Sequence, residues 1–206
     1  MKTMLILTGP QGSGNHMWSK IFALHPQVQG WQALLDEYWI GHDQEPFADC
    51  WADPDLLLSR DWSTSDYYVT SVSTPYMNNG TVTVPDLVSF AATAMGAGLQ
   101  VAIAIVGRDR NILEYQETRV RGAPSFDTAL AEYQKLSSWS TTFLSYELLH
   151  LYKKQYLQQV SRELGFPIAT DDPRLGNILA DDTNRKYFTP VEYHFTDDLA
   201  KHTSRK

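Results

Sequence analysis

The 206-residue chain contains one cysteine, Cys50, so no intramolecular disulfide and no multi-cysteine metal site can form, as suits a reducing cytoplasmic setting. No apolar run approaches the roughly 18 residues that a membrane-spanning helix needs. Met4–Leu7 is too short for the core of a signal peptide, so no targeting segment is expected. Basic residues are scarce in the first half: Lys2, Lys20 and Arg60 stand against ten acidic residues in positions 1–100, whereas positions 101–206 carry fourteen of each sign. That half offers nothing to a polyanion, which argues against nucleic acid as a partner. Repeats and low-complexity tracts are also missing, and 43% of the residues are hydrophobic, so a single folded domain over 1–206 is expected.

What is present alternates between strand and helix. Met4–Thr8 reads as a buried strand, Gly14–Leu24 as an amphipathic helix stopped by His25-Pro26, and Tyr67–Ser71 as a second strand. Asn78-Asn79-Gly80 reads as a turn, and Pro85 opens a helix over 86–96. Val101–Val106 is the clearest buried strand, with helices expected at about 110–120 and 126–138. Thr141–Tyr146 reads as a strand, and Tyr152–Leu164 as a helix capped by Gly165. Such alternation predicts an α/β fold of three layers, a mainly parallel sheet flanked by helices. Residues 31–68, rich in tryptophan and acid, read as an insertion on the acceptor side, and 167–206 as an irregular C-terminal segment.

The chemistry concentrates in two places. Gly9-Pro-Gln-Gly-Ser-Gly-Asn-His16 joins the first strand to the first helix with the G-x-x-x-x-G spacing of a phosphate-cradling P-loop. Glycines let backbone N–H groups converge, and the helix N-terminus adds a positive dipole end. Asn15 stands where a Walker loop has lysine and His16 where it has Ser or Thr. This disfavours a Mg²⁺-dependent kinase or NTPase, because Mg²⁺ takes oxygen ligands and the phosphates lose their lysine. The second place is Gly107-Arg108-Asp109-Arg110, just past the carboxyl end of a buried strand, where open α/β sheets bind ligands.

These segments resemble the P-loop sulfotransferases, which move a sulfuryl group from 3′-phosphoadenosine-5′-phosphosulfate (PAPS) to a hydroxyl or amine. Pro10-Gln-Gly-Ser-Gly-Asn-His16, then His25-Pro-Gln-Val28, resembles the family's 5′-phosphosulfate loop and the H-P-x-[VI] that follows its helix. Val106-Gly-Arg-Asp-Arg-Asn-Ile-Leu113 resembles the strand end whose arginine and serine hold the 3′-phosphate. Phe143-Leu-Ser-Tyr-Glu-Leu-Leu149 resembles the Y-E-D-L strand, with Glu147 structural. The resemblance implies a P-loop NTPase-like fold in which Gly12, Ser13, Gly14, Asn15, His16 and Arg108 bind PAPS or its product 3′,5′-adenosine bisphosphate (PAP). Gln116 falls at the 3′-phosphate serine, and Arg185 and Lys186 are late basic residues that reach the same phosphate. No metal is expected.

The departures concern catalysis. Gly12 takes the place of the family's Lys/Arg, and Ser71-Val-Ser-Thr-Pro75 lacks the lysine and histidine of K-x-H-x-P. His16 is the candidate to stabilise developing charge, and Asp36, Glu37 and His42 are base candidates by proximity in sequence. The implied activity is sulfuryl transfer to a neutral or cationic small molecule or carbohydrate, since the acidic half repels polyanions. A nucleotide-binding module without turnover, and a P-loop nucleotide or small-molecule kinase, stay open as alternatives.

Overall fold

A computed structural model describes residues 1–37, 40–78, 80–121 and 125–180, and the backbone alone for 119–121. Arg185 and Lys186 lie outside the described residues. Strand β1 (Thr3–Gly9) is the centre of the molecule, buried along its whole length between two parallel neighbours. On one side stands β3 (Tyr67–Ser73), beyond which the two-residue β2 (Val28–Gln29) forms an edge; on the other stand β6 (Gln100–Gly107) and β7 (Thr141–Ser145). The order β2-β3-β1-β6-β7 is parallel throughout, as buried apolar runs without alternation require.

Both faces of β1 are apolar because both are covered. Met4 and Ile6 point into a core with Trp51, Leu57, Phe90 and Leu136, under α2 (Ala48–Ala52), α3 (Leu87–Gly96) and the segment after α5 (Phe126–Gln134). Leu5 and Leu7 point the other way, into Trp18, Phe22, Leu149, Leu157 and Phe166. That layer comprises α1 (Asn15–Ala23), α6 (Tyr146–Leu164) and α7 (Arg174–Ala180). The fold is thus α/β in three layers. Among the described residues, no helix is long and apolar enough to cross a membrane.

Three local differences from the sequence expectations have plain causes. The turn at Gly80 closes a hairpin, β4 (Tyr76–Asn78) against β5 (Thr81–Thr83), too short to show a period. Helix α6 begins at Tyr146, where Ser145 accepts from the Leu148 N–H, and a non-helical Lys153 inside it hides the continuity of the pattern. Segment 31–68 supplies core: Trp31, Phe47, Trp51 and Leu57 are buried, so those aromatic residues serve packing.

The topology fixes where a ligand can sit. From β1 the chain passes to β2 and β3 on one side, then crosses to β6 and β7 on the other. The reversal leaves a crevice at the carboxyl ends of β1 and β6. The glycine loop follows β1, Arg108 follows β6, and α4 (Arg110–Arg121) starts just beyond.

Candidate functional site

The loop from Gly9 to Asn15 leaves β1 through a tight turn in which the Ser13 N–H donates to the Pro10 carbonyl at 3.0 Å. Gly12 and Gly14 have φ of 86° and 110°, a region that side-chain-bearing residues avoid. Space is as restrictive as conformation. A Cβ on Gly14 would lie 3.0 Å from the Tyr146 ring, and one on Gly12 would fall 2.4 Å from the Gln116 side-chain oxygen. Gln116, on α4, therefore rests directly on the loop. Gly14 precedes the first turn of α1, so the loop amides and the helix end lie together.

Asn15 is turned inward. Its side-chain N–H groups donate to the Gly9 carbonyl at 3.2 Å and to Ser73 Oγ at 3.1 Å, and its Oδ1 accepts from Ser13 Oγ at 3.3 Å. Asn15 is 4% exposed, so it braces the loop, and its backbone N–H is what it can offer an anion. His16 is half-buried and its Nε2 donates to the Ile40 carbonyl at 2.9 Å. Burial holds its pKa below the ordinary imidazole value, an effect partly offset by that hydrogen bond and reinforced by Lys20. A neutral imidazole bound to a carbonyl does not replace a lysine.

The positive charge comes from the other side of the crevice. Arg108 donates from a terminal guanidinium nitrogen to the Gly12 carbonyl at 2.6 Å, and its guanidinium carbon stands 4.1 Å from the centroid of the Tyr146 ring. Tyr146 thus floors both the loop and the arginine. The turn carrying Arg108 is fixed on each side. Glu147 accepts from the Asp109 N–H at 2.9 Å, and Asp109 accepts from the N–H groups of Asn111 and Ile112 at the start of α4. Arg110 instead pairs with Glu114 at 2.6 Å along the helix. Next to Arg108 opens a cavity of about 550 Å³, walled by Phe143, Leu144, Leu148 and Tyr156, with Ser145 and Glu147 as its polar groups.

The remaining base candidates separate. The Asp36 and Glu37 side chains are exposed. Lys20 bonds the Glu37 carbonyl at 2.8 Å, and Asp36 adds its charge to the hold of Asp172 on Arg174. Among the described residues neither carboxylate makes a hydrogen bond to the loop. His42 is brought in: its ring lies 4.8 Å from that of His16 and 5.5 Å from that of Trp31, with Nε2 at 3.4 Å from Ser73 Oγ.

Glu45 was not singled out by the sequence. It is 4% exposed and accepts from the Phe47 N–H at 2.8 Å and the Ser71 N–H at 3.3 Å, on the side of β3 where β2 has already ended. Burial pushes its pKa up to about 8 against the opposing hydrogen bonds of Phe47, Thr70 and Ser71 and the charge of Arg60. Among the described residues, no group of three or more His, Cys, Asp or Glu side chains is placed to hold a metal ion.

No family model and no curated protein matches the sequence. Among solved structures, the chain is similar to the mouse sulfotransferase SULT7A1 complexed with PAP, at 10% identity and a TM-score of 0.44, over 91% of this chain and 66% of that one. The chain therefore spans just under two thirds of the length of that neighbour.

Proposed function

We propose that the protein binds PAPS at the crevice between β1 and β6 and transfers its sulfuryl group to a hydroxyl or amine of a neutral or cationic small molecule or carbohydrate. The observation that carries the reading is the approach of Arg108 to Gly12: a guanidinium from one strand end meets a glycine cradle from the next. The residues fit the donor in kind. Backbone N–H groups from Gly12 to His16 suit the 5′-phosphosulfate, and Arg108 suits a phosphate through a planar, two-pronged contact. Gln116 beside Gly12 adds a neutral amide, and the cavity walled by Phe143, Leu148 and Tyr156 suits a nucleoside ring. When bound, PAPS supplies an activated sulfuryl group, so the chain itself needs to orient it and to manage one proton.

A binding module without turnover is favoured by one observation, the neutral His16 at the loop, which leaves no cation where a sulfotransferase has lysine. A kinase is the weaker reading because the loop offers Mg²⁺ an imidazole in place of a hydroxyl.

Thermal unfolding with PAP, ADP and Mg·ATP separates these readings. PAP at about 100 times its Kd stabilises by about 2.7 kcal/mol, which raises the Tm of a chain this size by roughly 5–10 °C. We expect that rise with PAP in the presence of EDTA, and little with ADP. A rise produced by Mg·ATP and not by PAP would overturn the proposal.

A further inference from the structure

We infer that His42, oriented by Ser73 and through it by Asn15, is the base that takes the acceptor's proton. The inference rests on the sulfuryl-transfer reading and names a group that reading lacks.

Placement comes first. Ser73 is the last residue of β3, and the next residue, Thr74, donates its N–H to the Gly9 carbonyl at 3.0 Å. The Thr74 hydroxyl also lies 2.9 Å from that of Thr8. The end of β3 is therefore stitched to the start of the glycine loop, and anything Ser73 holds stands beside the cradle. His42 reaches this point from the short helical turn His42–Gln44 between β2 and β3, 31 residues away in sequence.

The second argument is hydrogen-bond accounting. Ser73 Oγ accepts from Asn15 Nδ2 at 3.1 Å, and His42 Nε2 lies 3.4 Å from the same oxygen. A hydroxyl that accepts from an amide still has one proton to direct, and here it directs it at Nε2. This selects the neutral ring with its hydrogen on Nδ1 and its lone pair on Nε2, turned toward the strand end and the loop. His16 is in the opposite state. Its Nε2 faces the Ile40 carbonyl, which only accepts, so that nitrogen carries hydrogen. Of the two neighbouring imidazoles, His42 has the basic nitrogen on the loop side.

The third argument is rigidity. The His42 ring packs against His16 and Trp31, and Trp31 is 2% exposed, so this wall does not move freely. A base works when it is held within hydrogen-bond reach of the proton it removes.

The step balances. The acceptor O–H bond breaks and its proton passes to His42 Nε2. The acceptor oxygen forms a bond to sulfur as the bond from sulfur to the donor's phosphate oxygen breaks, and that electron pair leaves on PAP. Ser73 and Asn15 are positioning residues in this scheme.

The first test needs neither donor nor acceptor. Long-range ¹H–¹⁵N spectra of the imidazoles in ¹⁵N-labelled protein at neutral pH report each tautomer, with His42 assigned by the signals lost in His42→Gln. The expected result is hydrogen on Nδ1 of His42 in the native chain, and a mixed tautomer in Ser73→Ala. Hydrogen on Nε2 of His42 in the native chain would overturn the inference.

The second test measures transfer from PAPS to 2-naphthol, a primary alcohol and a primary amine, with PAP affinity measured in parallel. His42→Gln is expected to lose about 100-fold or more in kcat while PAP affinity stays within about twofold. In His42→Ala, added imidazole is expected to restore turnover. Native kcat in His42→Gln would overturn the inference, as would PAP binding by the native chain without transfer to any of the three acceptors. Failure of the native chain to bind PAP would instead sink the sulfuryl-transfer reading, leaving the tautomer as an independent result.

Discussion

Arg108→Ala is expected to weaken PAP binding by about 2–3 kcal/mol, roughly 30- to 150-fold, the worth of a charge-assisted contact to a phosphate. Two effects compete in that number. The guanidinium already donates to the Gly12 carbonyl and stacks on Tyr146, so a ligand must displace the first of these contacts before it gains the charge. The exchange favours the ligand, because a phosphate is a stronger acceptor than a neutral carbonyl. Arg108→Lys keeps the charge and loses the planar fork, so an intermediate loss of about tenfold is expected. Calorimetric titration of PAP into the three proteins checks this order. Arg108 is half-buried and Tyr146 is fixed by its own packing, so the fold should survive, with a Tm within a few degrees of the native value. Equal PAP affinity in Arg108→Ala and the native chain would show that the arginine serves only to hold Gly12.

Glu45 should make the protein less stable as the pH rises from about 5 to about 8. The direction follows from linkage. The folded carboxyl keeps its proton until about pH 8, whereas in the unfolded chain it ionises near its ordinary value of 4.5. Below the lower value both states are protonated and Glu45 has no effect. Between the two values the unfolded state releases a proton that the folded state retains, so each unit of pH costs about 1.4 kcal/mol, reaching a few kcal/mol near pH 8. His16 acts in the opposite sense. Its lowered pKa gives stability that is present above its unfolded value of 6.5 and is lost as the pH falls.

Glu45→Gln isolates the carboxyl. Its oxygen can accept one of the two N–H groups that Glu45 serves, and its amide faces the other, a loss of about 1–2 kcal/mol at pH 5. At pH 8 the glutamine chain should be the more stable of the two. Urea unfolding at half-unit steps of pH should therefore give curves that cross, and parallel curves would show that Glu45 titrates near its ordinary value.

The sequence reads well where function rests on local order. The strand, glycine turn and helix of residues 3–23 carry their own signal, because buried β1 is apolar on both faces and α1 begins at Gly14 with helical spacing. Arg108 was legible for the same reason, lying just past the apolar run of β6. It failed where tertiary contacts decide. Ser73 meets Asn15 across 58 residues and Glu45 meets Ser71 across 26, and no spacing in the chain announces either pair. Glu45 looked like one more acid in an acidic stretch until the end of β2 left the Ser71 N–H in need of an acceptor. Asp36 and Glu37 follow the first helix closely in sequence, yet that nearness placed their side chains in solvent. Asn15 and His16 were legible as departures from a lysine-bearing loop, but the destinations of their side chains depended on Ser73 and Ile40.

A crystal structure of the protein with PAP tests the central claim most directly. The account predicts the 5′-phosphate within hydrogen-bond distance of the backbone N–H groups from Gly12 to His16, with no metal bridging it. Arg108 should have left the Gly12 carbonyl for a phosphate oxygen, and the base should lie in the cavity beside Phe143 and Leu148. PAP bound away from the glycine loop, or seated on it with Arg108 still on Gly12 and no phosphate contact, would contradict it.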